Sequence, residues 1–93
     1  MYKIREYHGS KVMSLTHEDG TNSFSIGIVS PGEFEFGAIS KEKYRVTSGE
    51  IEFWEEDENH WRLIREGKEF SVVDHKNFKM KADKVSSYIC FYD

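Results

Sequence analysis

The chain is short of several things, and each shortage narrows what it can be. It has one cysteine, Cys90, and one proline, Pro31, in 93 residues. A lone cysteine excludes an internal disulfide framework and any Cys-rich zinc site. With no Pro-rich linker, internal repeat or low-complexity tract, nothing divides the chain, and one small domain spanning 1–93 is expected. No run of about 18 apolar residues occurs, so no membrane-spanning helix and no membrane partner are expected. The first residues also lack the apolar core of a signal peptide, which leaves a cytoplasmic location as the expectation. Basic residues form no stripe. The 13 Lys and Arg are interleaved with 17 Asp and Glu, for a net charge of −4. This argues against a nucleic-acid surface, although a local pocket can still take an anion.

Helical periodicity is missing too. No window of twelve or more residues places apolar side chains at i, i+3, i+4 and i+7. What the chain has is alternation. Strands are expected near 10–17, 24–30, 33–39, 43–48, 50–56, 60–65, 69–73, 77–82 and 85–92. Turns are read at Asp19-Gly20-Thr21-Asn22, Ser30-Pro31-Gly32, Asp57-Glu58-Asn59 and Glu66-Gly67, with a tight turn at Ser48-Gly49. Short strands at regular spacing predict an all-β sandwich or barrel. Aromatic residues, 15% of the chain, supply the core. With every second side chain inward, one face carries Val46, Ser48, Ile51 and Phe53. Phe34, Phe36, Phe70, Val72, Phe78, Met80, Tyr88 and Cys90 extend it, while Glu33, Glu35, Arg45, Thr47, Glu50 and Glu52 face the other way.

Three segments, in order, then carry a likeness. The first is Ile26-Gly27-Ile28-Val29 with Pro31-Gly32-Glu33-Phe34-Glu35-Phe36. The second is Val46-Thr47-Ser48-Gly49-Glu50-Ile51. The third is Gly67-Lys68-Glu69-Phe70-Ser71-Val72 with Phe78 and the closing Ser87-Tyr88-Ile89-Cys90-Phe91-Tyr92. Glu6-Tyr7, Lys11-Val12 and Ser14 fit the same pattern. Together the chain resembles, nearly end to end, the small single-domain pyrimidine/purine nucleoside phosphorylases of bacteria. That resemblance implies a cupin-like jelly-roll β-barrel, a homodimer, and phosphorolysis of purine and pyrimidine nucleosides to free base and pentose-1-phosphate. It implies inorganic phosphate as co-substrate and no cofactor. Two departures stand out. The family's Val-Pro pair reads Val72-Val73 here, followed by Asp74-His75, which is expected to loosen one rim of the mouth. The glycine before Lys11 is displaced to Gly9.

Phosphorolysis needs a cation or N–H groups for phosphate, a group that steadies positive charge on the sugar, and a proton for the departing base. Lys11 matches a family lysine and is either a phosphate ligand or a solvated surface residue. Arg45 is a second cation on the outward phase, where a surface or dimer contact competes with a ligand role. Glu33 matches the family and either steadies the sugar or caps its turn. Ser48 either bonds a sugar hydroxyl or satisfies its own backbone. Tyr88 either stacks on a base and donates its hydroxyl, or is core. Phe36, Phe70 and Phe78 are either a wall for the base or core packing. Cys90 reads as a buried core thiol rather than a nucleophile. Trp54, on the outward phase, hints at a dimer contact.

A metal centre is the obvious rival for a cupin. The region Gly32–Ser40 lacks a His-x-His pair, Glu42 keeps only a glutamate spacing, and Phe78 stands where a partner for His75 would be. His8, His17, His60 and His75 are scattered, so no bound metal is expected. The alternatives to an enzyme are a ligand-binding cupin for a nucleoside or sugar and a purely structural dimerisation module.

Overall fold

The structure, a computed structural model, describes residues 2–18, 23–38, 40–73 and 76–92. These residues contain no helix and ten strands. In chain order they are β1 (Tyr2–Tyr7), β2 (Val12–Glu18), β3 (Ser23–Val29), β4 (Gly32–Gly37) and β5 (Glu42–Ser48), then β6 (Glu50–Glu55), β7 (Arg62–Arg65), β8 (Glu69–Val72), β9 (Asn77–Ala82) and β10 (Ser86–Tyr92). They form a six-stranded sheet in the order β1-β2-β3-β10-β5-β8 and a four-stranded sheet in the order β4-β9-β6-β7, with every pairing antiparallel. Beyond the hairpins β1–β3 and β6–β7, the chain switches sheet at each connection, as in a jelly roll. The sheets face one another as the expected all-β jelly roll, with the barrel not closed between them.

Alternation builds the core. β9 buries Phe78, Met80 and Ala82, and β10 buries Ser86, Tyr88 and Cys90. Phe53, Ile51, Val46 and Val72 meet between the sheets with no exposed surface. Full burial of side chains of this size contributes about 1.5–3 kcal/mol each before ordering costs. The expected inward set is observed apart from Ser48, which is exposed. The reason is a register shift. Ser87 pairs with Ser48 and Tyr88 with Val46, so Thr47 is an extra residue, and the resulting bulge turns Ser48 out.

Ser48-Gly49 makes a corner rather than a hairpin, since β5 and β6 lie in different sheets. Gly49 has φ +80°, and a Cβ there would strike the side chain and backbone of Ser86. Ser86 Oγ accepts from Glu50 N–H at 3.3 Å and donates toward the carbonyls of Glu50 and Lys84 at 3.1 and 3.0 Å. The expected turn at 19–22 and the Asp74-His75 pair lie outside the described residues. Val73 does not leave its rim unfastened. Its N–H, a group proline lacks, donates to Glu55 Oε2 at 3.2 Å. Trp54 is also engaged within its own chain. Its indole N–H donates to Glu58 O at 3.0 Å, and Lys79 Nζ lies 5.0 Å from its ring centroid.

Gly49→Ala forces a side chain into the left-handed region and into Ser86. The backbone alone accounts for about 1–2 kcal/mol of lost stability, and the collision adds to it. The expected readout is a lower urea midpoint at unchanged slope.

Candidate functional site

The inner face of the larger sheet changes character along its length. Toward β5 and β8 it is apolar, with Val46, Phe70 and Val72. Toward β2 and β3 it carries the buried hydroxyls of Ser14, Thr16 and Ser25, and Gly27. Hydroxyls and a missing side chain cannot fill the space as leucines would, so a hollow of about 530 Å³ remains between this region and β4 and β9. That is within the range of small-molecule sites, roughly 300–1,000 Å³.

Rings form one side of this cavity. Phe36 and Phe78 stack at 5.5 Å and 24°. Tyr7 and His8 meet the edge of Phe36 at 5.5 and 5.2 Å, and His8 Nε2 lies 3.0 Å from the backbone carbonyl of Glu35, fastening the β1–β2 turn to β4. Hydroxyl groups form the other side. Tyr44 and Tyr88 meet edge to face at 5.2 Å, and Tyr44 donates to Glu42 Oε1 at 2.7 Å. Tyr92 OH, Ser25 Oγ and Thr16 Oγ1 make a chain with links of 2.5 and 2.7 Å. Gly27 admits this arrangement. A Cβ at residue 27 would stand against Cζ of Tyr88, its partner across β3 and β10, and collide with the hydroxyl end of that ring.

Burial sets the protonation states. It raises the Glu42 carboxyl above the ordinary carboxylate range, a shift that the Tyr44 hydrogen bond opposes. Burial likewise raises the tyrosine hydroxyls of Tyr44, Tyr88 and Tyr92, so they are donors at neutral pH. The Cys90 thiol is pushed up to about 12 by burial and, second, by the charge of Glu42. Thiolate is scarce at neutral pH, which agrees with a core cysteine and not a nucleophile.

Of the residues singled out from sequence, Phe36, Phe78 and Tyr88 line the cavity together. Four do not. Lys11 is exposed in the β1–β2 turn. Glu33 is exposed on the outer face of the smaller sheet, 3.7 Å from Lys79 Nζ, because the alternation that buries Phe34 turns it away. Ser48 is exposed at the β5–β6 corner, and Phe70 is core, stacked on Tyr44 at 5.0 Å. Arg45 is on the outer face, held by Glu69. Sequence reading missed Tyr7, His8, Tyr44 and Tyr92. It named Glu42 only as a remnant of a metal motif. Strand phase could have found Tyr44, which shares the inward face of β5 with Val46. Among the described residues, no three His, Cys, Asp or Glu side chains gather as metal ligands.

Comparison with known proteins agrees with the fold and places the chain among relatives. The family model described as pyrimidine/purine nucleoside phosphorylase matches residues 2–92. A Marinobacter nauticus protein named pyrimidine/purine nucleoside phosphorylase is 35% identical over 92 residues, covering 99% of this chain and 99% of its own length. The solved structure of a protein of unknown function from Vibrio parahaemolyticus is 26% identical with a TM-score of 0.94, covering 100% of this chain and 99% of that one. Hydroxypropylphosphonic acid epoxidase from S. wedmorenis is 14% identical with a TM-score of 0.81, over 99% of this chain and 55% of that one. At that identity the likeness concerns the cupin-like fold alone.

The Glu42 carboxyl sets a stability trend. An acid raised by folding contributes stability that is complete below its unfolded value and lost as pH rises through its folded value. The wild-type melting temperature is therefore expected to fall as pH climbs from the ordinary carboxylate range through the raised value. Glu42→Gln, which still accepts from Tyr44, is expected to remove that part of the fall in melting scans across pH.

Proposed function

The chain belongs to the pyrimidine/purine nucleoside phosphorylase family, and on that footing we propose that it splits nucleosides with inorganic phosphate in the cavity between its sheets. In this reaction a phosphate oxygen bonds to the anomeric carbon as the bond to the base nitrogen breaks. The base leaves with the electron pair and takes a proton, and the sugar leaves as pentose-1-phosphate.

The observation that carries this reading is the pairing of a ring-lined wall with a hydroxyl-lined floor in one hollow of about 530 Å³. The base lies against Phe36 and Phe78. Stacking reads a π-face and no particular hydrogen-bond pattern, so the site accepts both purines and pyrimidines. The hydroxyls of Tyr88 and Tyr92 donate to base or ribose oxygens, and Glu42, favoured in its neutral form by burial, supplies the proton to the departing base. Every step uses the chain's own side chains and inorganic phosphate, with no resident metal or cofactor. A nucleoside-binding module without turnover is the second reading, favoured by the same wall of rings.

We also assign the homodimer contact to the outer face of β1, β2 and β3. Ile4, Leu15 and Ile26 occupy one cross-strand row, with Met13 and Ile28 in the next. Ile4 and Ile28 expose 72% and 53% of their surface. A contiguous apolar patch of this kind on a charged small protein marks an association surface. The face offers antiparallel strands that a second copy of itself can match about a two-fold axis.

Base release from uridine, adenosine and inosine is expected to require inorganic phosphate, to yield pentose-1-phosphate, and to survive chelation of metals. Glu42→Gln is expected to lower kcat by about 100-fold or more, with Tyr88→Phe weaker in effect. Nucleoside binding by calorimetry with no phosphate-dependent release sinks the enzyme reading in favour of the binding module. Light scattering is expected to give twice the chain mass for the wild type and the single-chain mass for Ile26→Lys. A wild-type monomer at working concentration removes the proposed contact.

A further inference from the structure

We propose that Arg5 is the phosphate-binding cation of this protein, and that phosphate sits in a second cleft opening off the main cavity. The inference rests on the phosphorolysis reading above and begins from a missing charge. Among the described residues lining the main cavity there is no lysine or arginine, while Glu6, Glu35 and Glu42 are there. A phosphate dianion needs cationic or N–H donors. The two cations first suspected are elsewhere, Lys11 in an exposed turn and Arg45 paired with Glu69.

A cleft of about 320 Å³ shares Tyr7, Gly37, Glu42 and Tyr92 with the main cavity and adds Arg5, Thr16 and Ser40. The shared residues make the two hollows neighbours across one wall. Strand pairing explains how Arg5 comes to be there. Arg5 is opposite Ser14, Ser14 opposite Gly27, and Gly27 opposite Tyr88. Residues directly opposed in antiparallel strands point to the same face, so Arg5 belongs to the cavity face of the sheet. Lys3, opposite Thr16, is on that face as well. β1 thus puts two cations where a core strand would put two apolar side chains.

Arg5 is exposed and makes no hydrogen bond or ion pair with any described residue. A guanidinium fork left open beside hydroxyl groups suits a tetrahedral oxyanion, on which it can place two parallel N–H bonds. Ser40 and Thr16, the latter at the end of the hydroxyl chain through Ser25 to Tyr92, supply hydroxyls that can rotate toward it. With the base against Phe36 and Phe78, the sugar's anomeric carbon falls at the shared wall. Phosphate then approaches from the Arg5 side, and the base departs on the ring side. Glu42 is on that wall, its carboxylate oxygen taken by the Tyr44 hydroxyl at 2.7 Å.

The test combines kinetics and binding on the full chain. Phosphate is varied at saturating nucleoside for the wild type, Arg5→Gln and Arg5→Lys, and inorganic phosphate is titrated into each ¹⁵N-labelled protein without nucleoside. Arg5→Gln is expected to raise the KM for phosphate by about 10- to 100-fold, the range for losing hydrogen bonds to a charged group. The KM for nucleoside should stay within about two-fold, and Arg5→Lys should recover part of the loss because it keeps the charge without the fork. In the titration, saturable amide shifts at Gly37 and Ser40 are expected in the wild type and not in Arg5→Gln. A phosphate-dependent wild type whose KM for phosphate is unchanged in Arg5→Gln overturns the subsite and leaves the reaction standing. A wild type without phosphate-dependent release overturns the reaction. The titration then decides the subsite, with Arg5-dependent shifts upholding it and their absence ending it.

Discussion

Tyr88 can lie across β3 only because residue 27 has no side chain, and the cavity depends on that one allowance. β10 is hydrogen-bonded to β3 on one side and β5 on the other, so it cannot shift to relieve a clash. The inward side chains of this central strand serve two ends at once. Ser86 secures the β5–β6 corner, while Tyr88 and Cys90 form part of the cavity surface. With the ring of Tyr88 laid over Gly27, its hydroxyl is set beside the row of Ser14, Thr16 and Ser25. A larger residue at 27 would push the ring into the cavity.

The same economy explains how so small a chain keeps a hollow. A sandwich of this size has little core to give up. Its fully enclosed apolar side chains are Phe53 and Ile51 on β6, Val46 and Val72 at the β5–β8 end of the larger sheet, and Val12 and Val29 on β2 and β3. Beside those two valines, the inner face of β2 and β3 is tied by hydrogen bonds among the hydroxyls of Thr16, Ser25 and Tyr92. These three hydroxyls satisfy one another without filling the volume, and the cavity lies beside Ser14, Ser25 and Tyr92.

Much of the sandwich was legible in the sequence because nine of the ten strands bury one face, and burial writes itself as alternation. β1 was not foreseen for the opposite reason. Its apolar Ile4 faces solvent while Lys3 and Arg5 take the inward phase, so the pattern is inverted relative to a core strand. Strand phase correctly put Phe36, Phe78 and Tyr88 inside. It also put Glu33 outside, where a family match alone had suggested a role. Ser48 was misplaced because a bulge is invisible to a period-two reading. Phe70 was put inside, but alternation tells inside from outside, not core from cavity. That distinction needs the second sheet, as does the meeting of Glu42, Tyr44 and Tyr92 around one space.

The two tryptophans are both tied to the smaller sheet, Trp54 beneath Lys79 and Trp61 beneath Lys81 at 4.3 Å. Neither lines the main cavity, whose aromatic surface is tyrosine, phenylalanine and histidine. The molecule is thereby divided into two optical compartments. Indole emission, quenched or shifted when the β4-β9-β6-β7 sheet loosens, follows unfolding and arises outside the cavity lining. Ultraviolet difference absorbance of the phenols follows the occupant, so folding and ligation can be recorded separately on an unlabelled chain.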